Sequence, residues 1–163
     1  MSKKVISTAA LLGMIAIILG AFGAHAFKKV LSTEQLVTFE TGVLYQMYHA
    51  LFLLFIGLNT SLSEKSKKII YYFTVTGVLL FSGSIYFLAT NNLTSFDFTK
   101  IGFITPIGGL FLILAWTVLL FDFLKNNKKK KNFVDPTMLL YSIENKENLK
   151  ESNKSRVVKI DIK

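Results

Sequence analysis

The sequence predicts an all-α fold, a four-helix transmembrane bundle with both termini cytoplasmic, followed by a short polar C-terminal tail. The first observation behind this is four apolar runs in 163 residues, three of them free of any charged side chain. A helix needs about 20 such residues to cross about 30 Å of hydrocarbon. The second is composition: 52% hydrophobic and 18% charged residues with mean hydropathy +0.47, against about 25% charged in an ordinary soluble domain. The third is the placing of lysine. Four spans put both termini and the central loop on one side, which collects Lys3, Lys4, Lys65, Lys67, Lys68, Lys125 and Lys128 to Lys131, while Lys28, Lys29 and Lys100 alone fall on the other. That bias assigns the lysine-rich side to the cytoplasm and the protein to a bacterial inner membrane.

The first span covers about 5–24. Lys3 and Lys4, an apolar stretch and Ala24-His25-Ala26 also fit a cleavable signal peptide. The run is longer than the usual 7–15 residue core, though, and Gly13, Gly20 and Ala24 lie along one stripe, so a retained helix is expected. In the loop that follows, Ser32-Thr33-Glu34-Gln35 predicts a capping box, with helix beginning near Thr33. Leu36, Val37 and Phe39 between Glu34 and Glu40 suggest a short interfacial turn running through Gly42 into a second span at about 41–58. The third and fourth spans are placed at 69–90 and 101–123. Gly77, Ser82, Gly83, Ser84, Gly108 and Gly109 are their expected packing positions, because small side chains let helix backbones approach in lipid. Pro106 removes a backbone donor and is expected to bend or loosen the fourth helix near its outer end.

Residues 1–124 form the membrane domain and 125–163 a basic, partly disordered cytoplasmic tail. Lys125, Lys128, Lys129, Lys130 and Lys131 are positioned for anionic lipid headgroups, which are the expected counter-charge in place of nucleic acid. Asp135-Pro136 can cap a short helix over 137–150, and residues 157–162 partly alternate like an edge strand.

Chemistry-bearing residues are few. With no cysteine, thiolate metal sites, disulfides and Cys nucleophiles are excluded. No phosphate-binding glycine loop, nucleophile elbow, HExxH motif or intramembrane carboxylate pair is present, so no enzyme, metal or cofactor is expected. The two histidines, His25 and His49, are both expected on the outer side. If they face one another they fit a metal, a b-type haem or a quinone headgroup; as isolated imidazoles they fit a register-fixing hydrogen bond. Tyr45 and Gln46 can share a helical face with His49 and form a polar cluster with it, and Tyr48 suits the aromatic belt. Glu40 lies at similar depth.

Gly20-Ala21-Phe22-Gly23-Ala24-His25, Phe39-Glu40-Thr41-Gly42, Tyr45-Gln46-Met47-Tyr48-His49-Ala50, Leu80-Phe81-Ser82-Gly83-Ser84-Ile85-Tyr86 and Ile104-Thr105-Pro106-Ile107-Gly108-Gly109 occur in this order. In these segments the chain resembles the YgdD-like small inner-membrane proteins over about residues 5–124. The resemblance implies four spans and an uncleaved first helix, and it brings no activity. Its motif residues fall here on His25, Glu40, Gln46, Tyr48, His49, Ser82, Gly83, Thr105 and Pro106, whereas the tail exceeds the compact family pattern. The functional expectation is therefore a non-enzymatic accessory or structural subunit of a larger membrane assembly, or a homo-oligomer. The alternative is a site for a quinone, lipid, haem or ion near the histidines and Pro106.

Overall fold

The computed structural model describes residues 1–132, 137, 140, 141 and 143–151, with the side chains of 126–132 outside that description. Four long helices follow one another: α1 (Ser2–His25), α2 (Thr33–Leu58), α3 (Glu64–Ala89) and α4 (Ile104–Asn132), with 3-10 turns at Phe27–Lys29, Asn91–Leu93 and Phe98–Ile101. Each of the four is long and apolar enough to cross a membrane. The expected all-α four-span bundle is what the chain adopts.

Local sequence explains the helix starts. Ser32 accepts from the Gln35 amide at 3.3 Å while Gln35 Oε1 accepts from the Ser32 amide at 3.0 Å, which completes the capping box at α2. Ser63 caps α3 in the same sense, accepting from the Ser66 amide at 3.1 Å. Two expectations are corrected here. No interfacial turn breaks at Gly42; α2 runs unbroken from Thr33, and Gly42 is buried where Tyr86 and Ile85 press on it. Pro106 does not bend α4 either, because it is the third residue of that helix, where a backbone N–H has no intrahelical partner to lose.

The antiparallel register follows from small residues. Between α1 and α2, Gly13 stands against Ala50, Gly20 against Val43 and Gly23 against Phe39. Between α3 and α4, Gly77 receives Leu112, and Gly108 lies against the backbone of Leu80 and Phe81. The Ser84 and Thr105 hydroxyls add a 2.6 Å hydrogen bond to that seam. α1 reaches α3 through Thr8 Oγ1 and the Tyr71 hydroxyl at 3.1 Å, and α2 reaches α4 where Phe52 stacks on Trp116 at 4.2 Å.

Burial is distributed as lipid, not water, demands. Gln46, His49, Lys67, Thr74, Ser82 and Ser84 are buried, while Leu11, Ile17, Leu51, Phe55, Leu79, Ile113 and Leu120 are exposed. Backbone groups of the spans are paired within their helices, as hydrocarbon requires. An apolar core of Val5, Ala9, Phe52, Leu53, Ile56, Ile70, Tyr71, Ala115 and Leu119 fills the end that carries the N-terminus. There Asp122 accepts from Ser66 Oγ at 2.5 Å and Ser63 Oγ at 3.3 Å, and Glu64 pairs with Lys67 at 3.3 Å.

By internal contacts the chain divides into Met1–Phe123 and Leu124–Lys163. In the second unit, residues 137, 140, 141 and 143–151 are helical, with Leu140, Tyr141, Ile143 and Leu149 exposed. Asp135-Pro136, the 157–162 alternation and the side chains of Lys128 to Lys131 lie outside the described residues; Lys125 is exposed.

Candidate functional site

The polar residues of the second span are not one cluster. Gln46 turns inward: its Nε2 donates to the Leu12 carbonyl at 2.8 Å and its Oε1 accepts from the Tyr86 hydroxyl at 2.9 Å, so one side chain ties α1, α2 and α3 together. Tyr45 and His49 occupy another face of the same helix. Their rings lie nearly parallel with centroids 6.4 Å apart, and the Tyr45 ring leans on Phe81 at 4.8 Å. The sequence expectation of a Tyr45–Gln46–His49 cluster is thus divided between two environments, because adjacent helical positions are about 100° apart around the axis.

His49 is 6% exposed. Its Nδ1 is 2.8 Å from the Tyr45 carbonyl oxygen, while Nε2 is buried and has no hydrogen-bond partner among the described residues. The ring lines a cleft of about 770 Å³ between α2 and α4, floored by Phe81 of α3 and completed by Gly109, Leu112, Trp116 and Leu120. That volume lies within the roughly 300–1,000 Å³ range of small-molecule sites. Thr117 lines it too, but its hydroxyl is committed to the Ile113 carbonyl at 2.8 Å.

Depth is the second correction. The α1–α2 register puts His49 level with Met14, and α2–α3 packing puts it near Gly77, each within about one turn of its helix centre. His49 therefore stands level with the middle of α1 and α3, well away from the helix ends that were expected to hold it. His25 is exposed at the far end of α1, 11 residues beyond Met14, or about 16 Å along the axis. The histidines do not face one another, so a haem or metal bridged by both is excluded by geometry. No group of three His, Asp or Glu side chains suited to a metal is found among the described residues.

The other expected residues are scattered. Glu40 is exposed, Tyr48 is 57% exposed, and Thr105 and Pro106 sit at the start of α4 without lining the cleft. Ser82 Oγ and Thr74 Oγ1 are buried without a partner among the described residues. Two packing positions differ from expectation: Ala24 is exposed, with Gly23 taking the contact to Phe39, and a Cβ at Gly83 would meet nothing within 4 Å. Gly109 lies beside Phe81 at the cleft edge. Beyond the spans, Asp97 at the turn before α4 accepts from the Thr99 hydroxyl at 2.6 Å and the Thr99 amide at 3.1 Å. These bonds hold its carboxyl below the ordinary value of 3.8.

Sequence reasoning missed Trp116, Phe81 and Leu112 as cleft walls and Tyr86 as the partner of Gln46. A signal existed for two of them. Trp116, the lone tryptophan, lies well inside a span instead of at an interface, and Tyr86 carries a hydroxyl that needs a partner in lipid.

Comparison with known proteins comes to the same stretch of chain. Residues 19–109 match a family described as protein of unknown function (DUF423). A UPF0382 membrane protein of Staphylococcus epidermidis is 39% identical over 123 residues, covering 76% of this chain and 97% of its own. A UPF0382 membrane protein of Haemophilus influenzae is 34% identical over 127 residues, 77% of this chain and 98% of its own. The UPF0382 inner membrane protein YgdD of Escherichia coli is 32% identical over 131 residues, 78% of this chain and 95% of its own. No solved structure matches. The four spans, the inside-out polarity and these relatives together make the chain a multi-pass membrane protein that belongs to the DUF423 (UPF0382) family.

Proposed function

We propose that this protein is a non-enzymatic binding protein of the bacterial inner membrane, whose α2–α4 cleft takes up a small amphiphilic molecule from the bilayer. One observation carries the proposal: a buried, half-satisfied imidazole, His49, lines a ligand-sized cleft well away from the helix ends. Polar side chains there are costly and are commonly kept for a role. The lysines at the N-terminal end of the bundle support an orientation with both termini cytoplasmic.

The test is purification of the full chain from native membranes in mild detergent, with mass spectrometry of both proteins and extracted small molecules. A molecule enriched over bulk lipid, near one per chain, is expected. It should be lost in Gly109→Leu, which adds a bulky side chain at a cleft-lining position whose Cβ would stand at ordinary contact distance from Phe81. An extract matching bulk lipid in both proteins refutes the proposal.

A second role, as an accessory subunit of a membrane assembly, is favoured by one feature: the exposed Leu140, Tyr141, Ile143 and Leu149 on the helical part of the tail. If the tail docks a partner, a co-eluting protein is present with the full chain and absent after deletion of 132–163. Elution of the full chain alone counts against it.

A further inference from the structure

Resting on the cleft proposal, we infer that the occupant is a quinone-type molecule, a neutral flat ring with a carbonyl oxygen on a long apolar chain, seated with its ring at the Tyr45 end of the cleft and its chain along α4. The cleft is long in one direction. Its α4 wall is the stripe Gly109, Leu112, Ile113, Trp116, Thr117 and Leu120, about three turns that run about 16 Å along the helix. The other helices meet this stripe at one end. Gly108 lies against the Phe81 backbone, a Cβ on Gly109 would stand 3.6 Å from the Phe81 ring, and the Tyr45 ring leans on Phe81 at 4.8 Å. Tyr45, Phe81 and Gly109 therefore gather at the start of the stripe, with the His49 ring nearly parallel to that of Tyr45 at 6.4 Å. Trp116 stands two turns further on, its ring stacked on Phe52 at 4.2 Å.

This layout selects among membrane molecules. No charged residue lines the cleft, so a phosphate, carboxylate or ammonium group placed in it would lack a partner. A phospholipid can lay only a chain there, entering from the Leu120 end, and the tip of that chain would then meet the polar side chains at the other end. A flat ring gains where a chain does not, because offset or edge contacts with the Tyr45 and Phe81 rings add to the area buried. Gly109 leaves the room such a ring needs beside Phe81. Tyr45 is 42% exposed, and its hydroxyl makes no hydrogen bond among the described residues. A phenol in apolar surroundings usually finds a partner, and a carbonyl on the ring accepts from it. Thr117 makes no such demand, since its hydroxyl donates to the Ile113 carbonyl. The long apolar chain then fills the space beside Leu112, Trp116 and Leu120.

Trp116 makes the inference measurable, since it lines the path of the chain and is the only tryptophan in the protein. The full-length protein is placed in nanodiscs of phosphatidylethanolamine and phosphatidylglycerol. Quenching is followed with three probes of one chain length, each brominated at the chain end: a decyl-1,4-benzoquinone, a decylbenzene and an aliphatic methyl ketone. Each value is taken relative to a tryptophan octyl ester dissolved in the same disc, which cancels collisional quenching in the bilayer. One hydrogen bond corresponds to about a fivefold preference and one ring contact to about twofold to tenfold. The quinone is therefore expected to reach half-quenching at a mole fraction about fivefold below the alkylbenzene and about twofold to tenfold below the ketone. Tyr45→Phe should bring the quinone to the alkylbenzene's value, and an unchanged quinone value in that variant overturns the seating of the ring at Tyr45. Equal quenching by the quinone and the ketone overturns the ring inference while leaving an occupied cleft. If no probe quenches Trp116 above the tryptophan ester, the cleft proposal itself falls.

Discussion

The two helix seams that share this bundle use glycine differently. Along α1–α2, a Cβ placed on Gly13 or Gly20 would meet Ala50 at 3.8 Å or Val43 at 3.6 Å, which is ordinary packing. Along α3–α4, a Cβ on Gly77 would overlap the Leu112 side chain, and one on Gly108 would overlap the Phe81 backbone nitrogen. The first seam has slack at these two positions, although a Cβ on Gly57 nearer the N-terminal end would overlap the Ile6 side chain, and its middle borders an apolar groove of about 460 Å³ lined by residues such as Ala9, Gly13, Met47 and Ala50. The second is closed backbone to backbone. Its α4 helix carries Leu112, Trp116 and Leu120 out to the cleft that α2 completes with His49. A glycine in a span thus either leaves room or removes it, and only the neighbour across the seam decides which. The two hollows differ in the same way: the α1–α2 groove has no polar side chain with which to discriminate among lipid tails, whereas the α2–α4 cleft counts Tyr45, His49 and Thr117 among its lining residues.

The comparison breaks most sharply at Gly108. Gly108→Ala forces α3 and α4 apart against backbone atoms that cannot rotate away, and overpacking of this kind costs about 3 kcal/mol. Unfolding in a graded denaturing-detergent titration reads the loss; a change below about 0.5 kcal/mol means the seam is not closed as described. Next comes Gln46→Leu, which strips the Tyr86 hydroxyl of its acceptor and should cost about 1–2 kcal/mol. Tyr86→Phe removes the same bond from the other side and should cost about 0.6 kcal/mol. A double-mutant cycle with no coupling between the two contradicts the link from α2 to α3.

His49→Leu sharpens the contrast between the hollows, since it replaces an unsatisfied polar group by an apolar one. Stability is expected to hold or to rise by about 0.5–1 kcal/mol. A clear loss of stability points instead to a structural bond at Nε2. Gly13→Ala tests the slack seam. With Ala50 at ordinary contact distance, the change should stay within about 0.5 kcal/mol of neutral, on the stabilising side.

The smallest effect lies in the turn that delivers α4 to its seam. Hydrogen bonds from the Thr99 side chain and backbone depress the Asp97 carboxyl. Their contribution is complete above the ordinary aspartate value and is lost as pH falls through the lower folded value. The Thr99 amide proton shift should therefore titrate with a midpoint below 3.8, and a midpoint at or above 3.8 shows that those bonds do not form in solution.

Much of this architecture was legible residue by residue. Uninterrupted apolar runs announce the spans because the bilayer accepts no other pattern, and Ser32 with Gln35 announces the start of α2 because a capping box is satisfied within four residues. The position of Pro106 was misjudged because the start of α4 depends on the Asp97 and Phe98–Ile101 turn, which no apolar pattern marks. The candidate site was half visible. Tyr45 and His49 stood out as polar residues inside a span, yet their depth, their separation from Gln46 and the distance to His25 were not readable.

By itself, then, the chain's order of residues determined its solvent, the number of crossings, the caps and the all-helical class, since each depends on contacts within a few residues or on transfer from water to lipid. Only the tertiary structure decided that His49 lies level with the middle of α1 and α3 with one nitrogen unpaired among the described residues, that Gln46 joins three helices, and that Trp116 closes a cleft with α2. Those facts follow from the register of one helix against another. Register is set by side chains that are far apart along the chain and meet only when the seams at Gly13, Gly42 and Gly108 have closed.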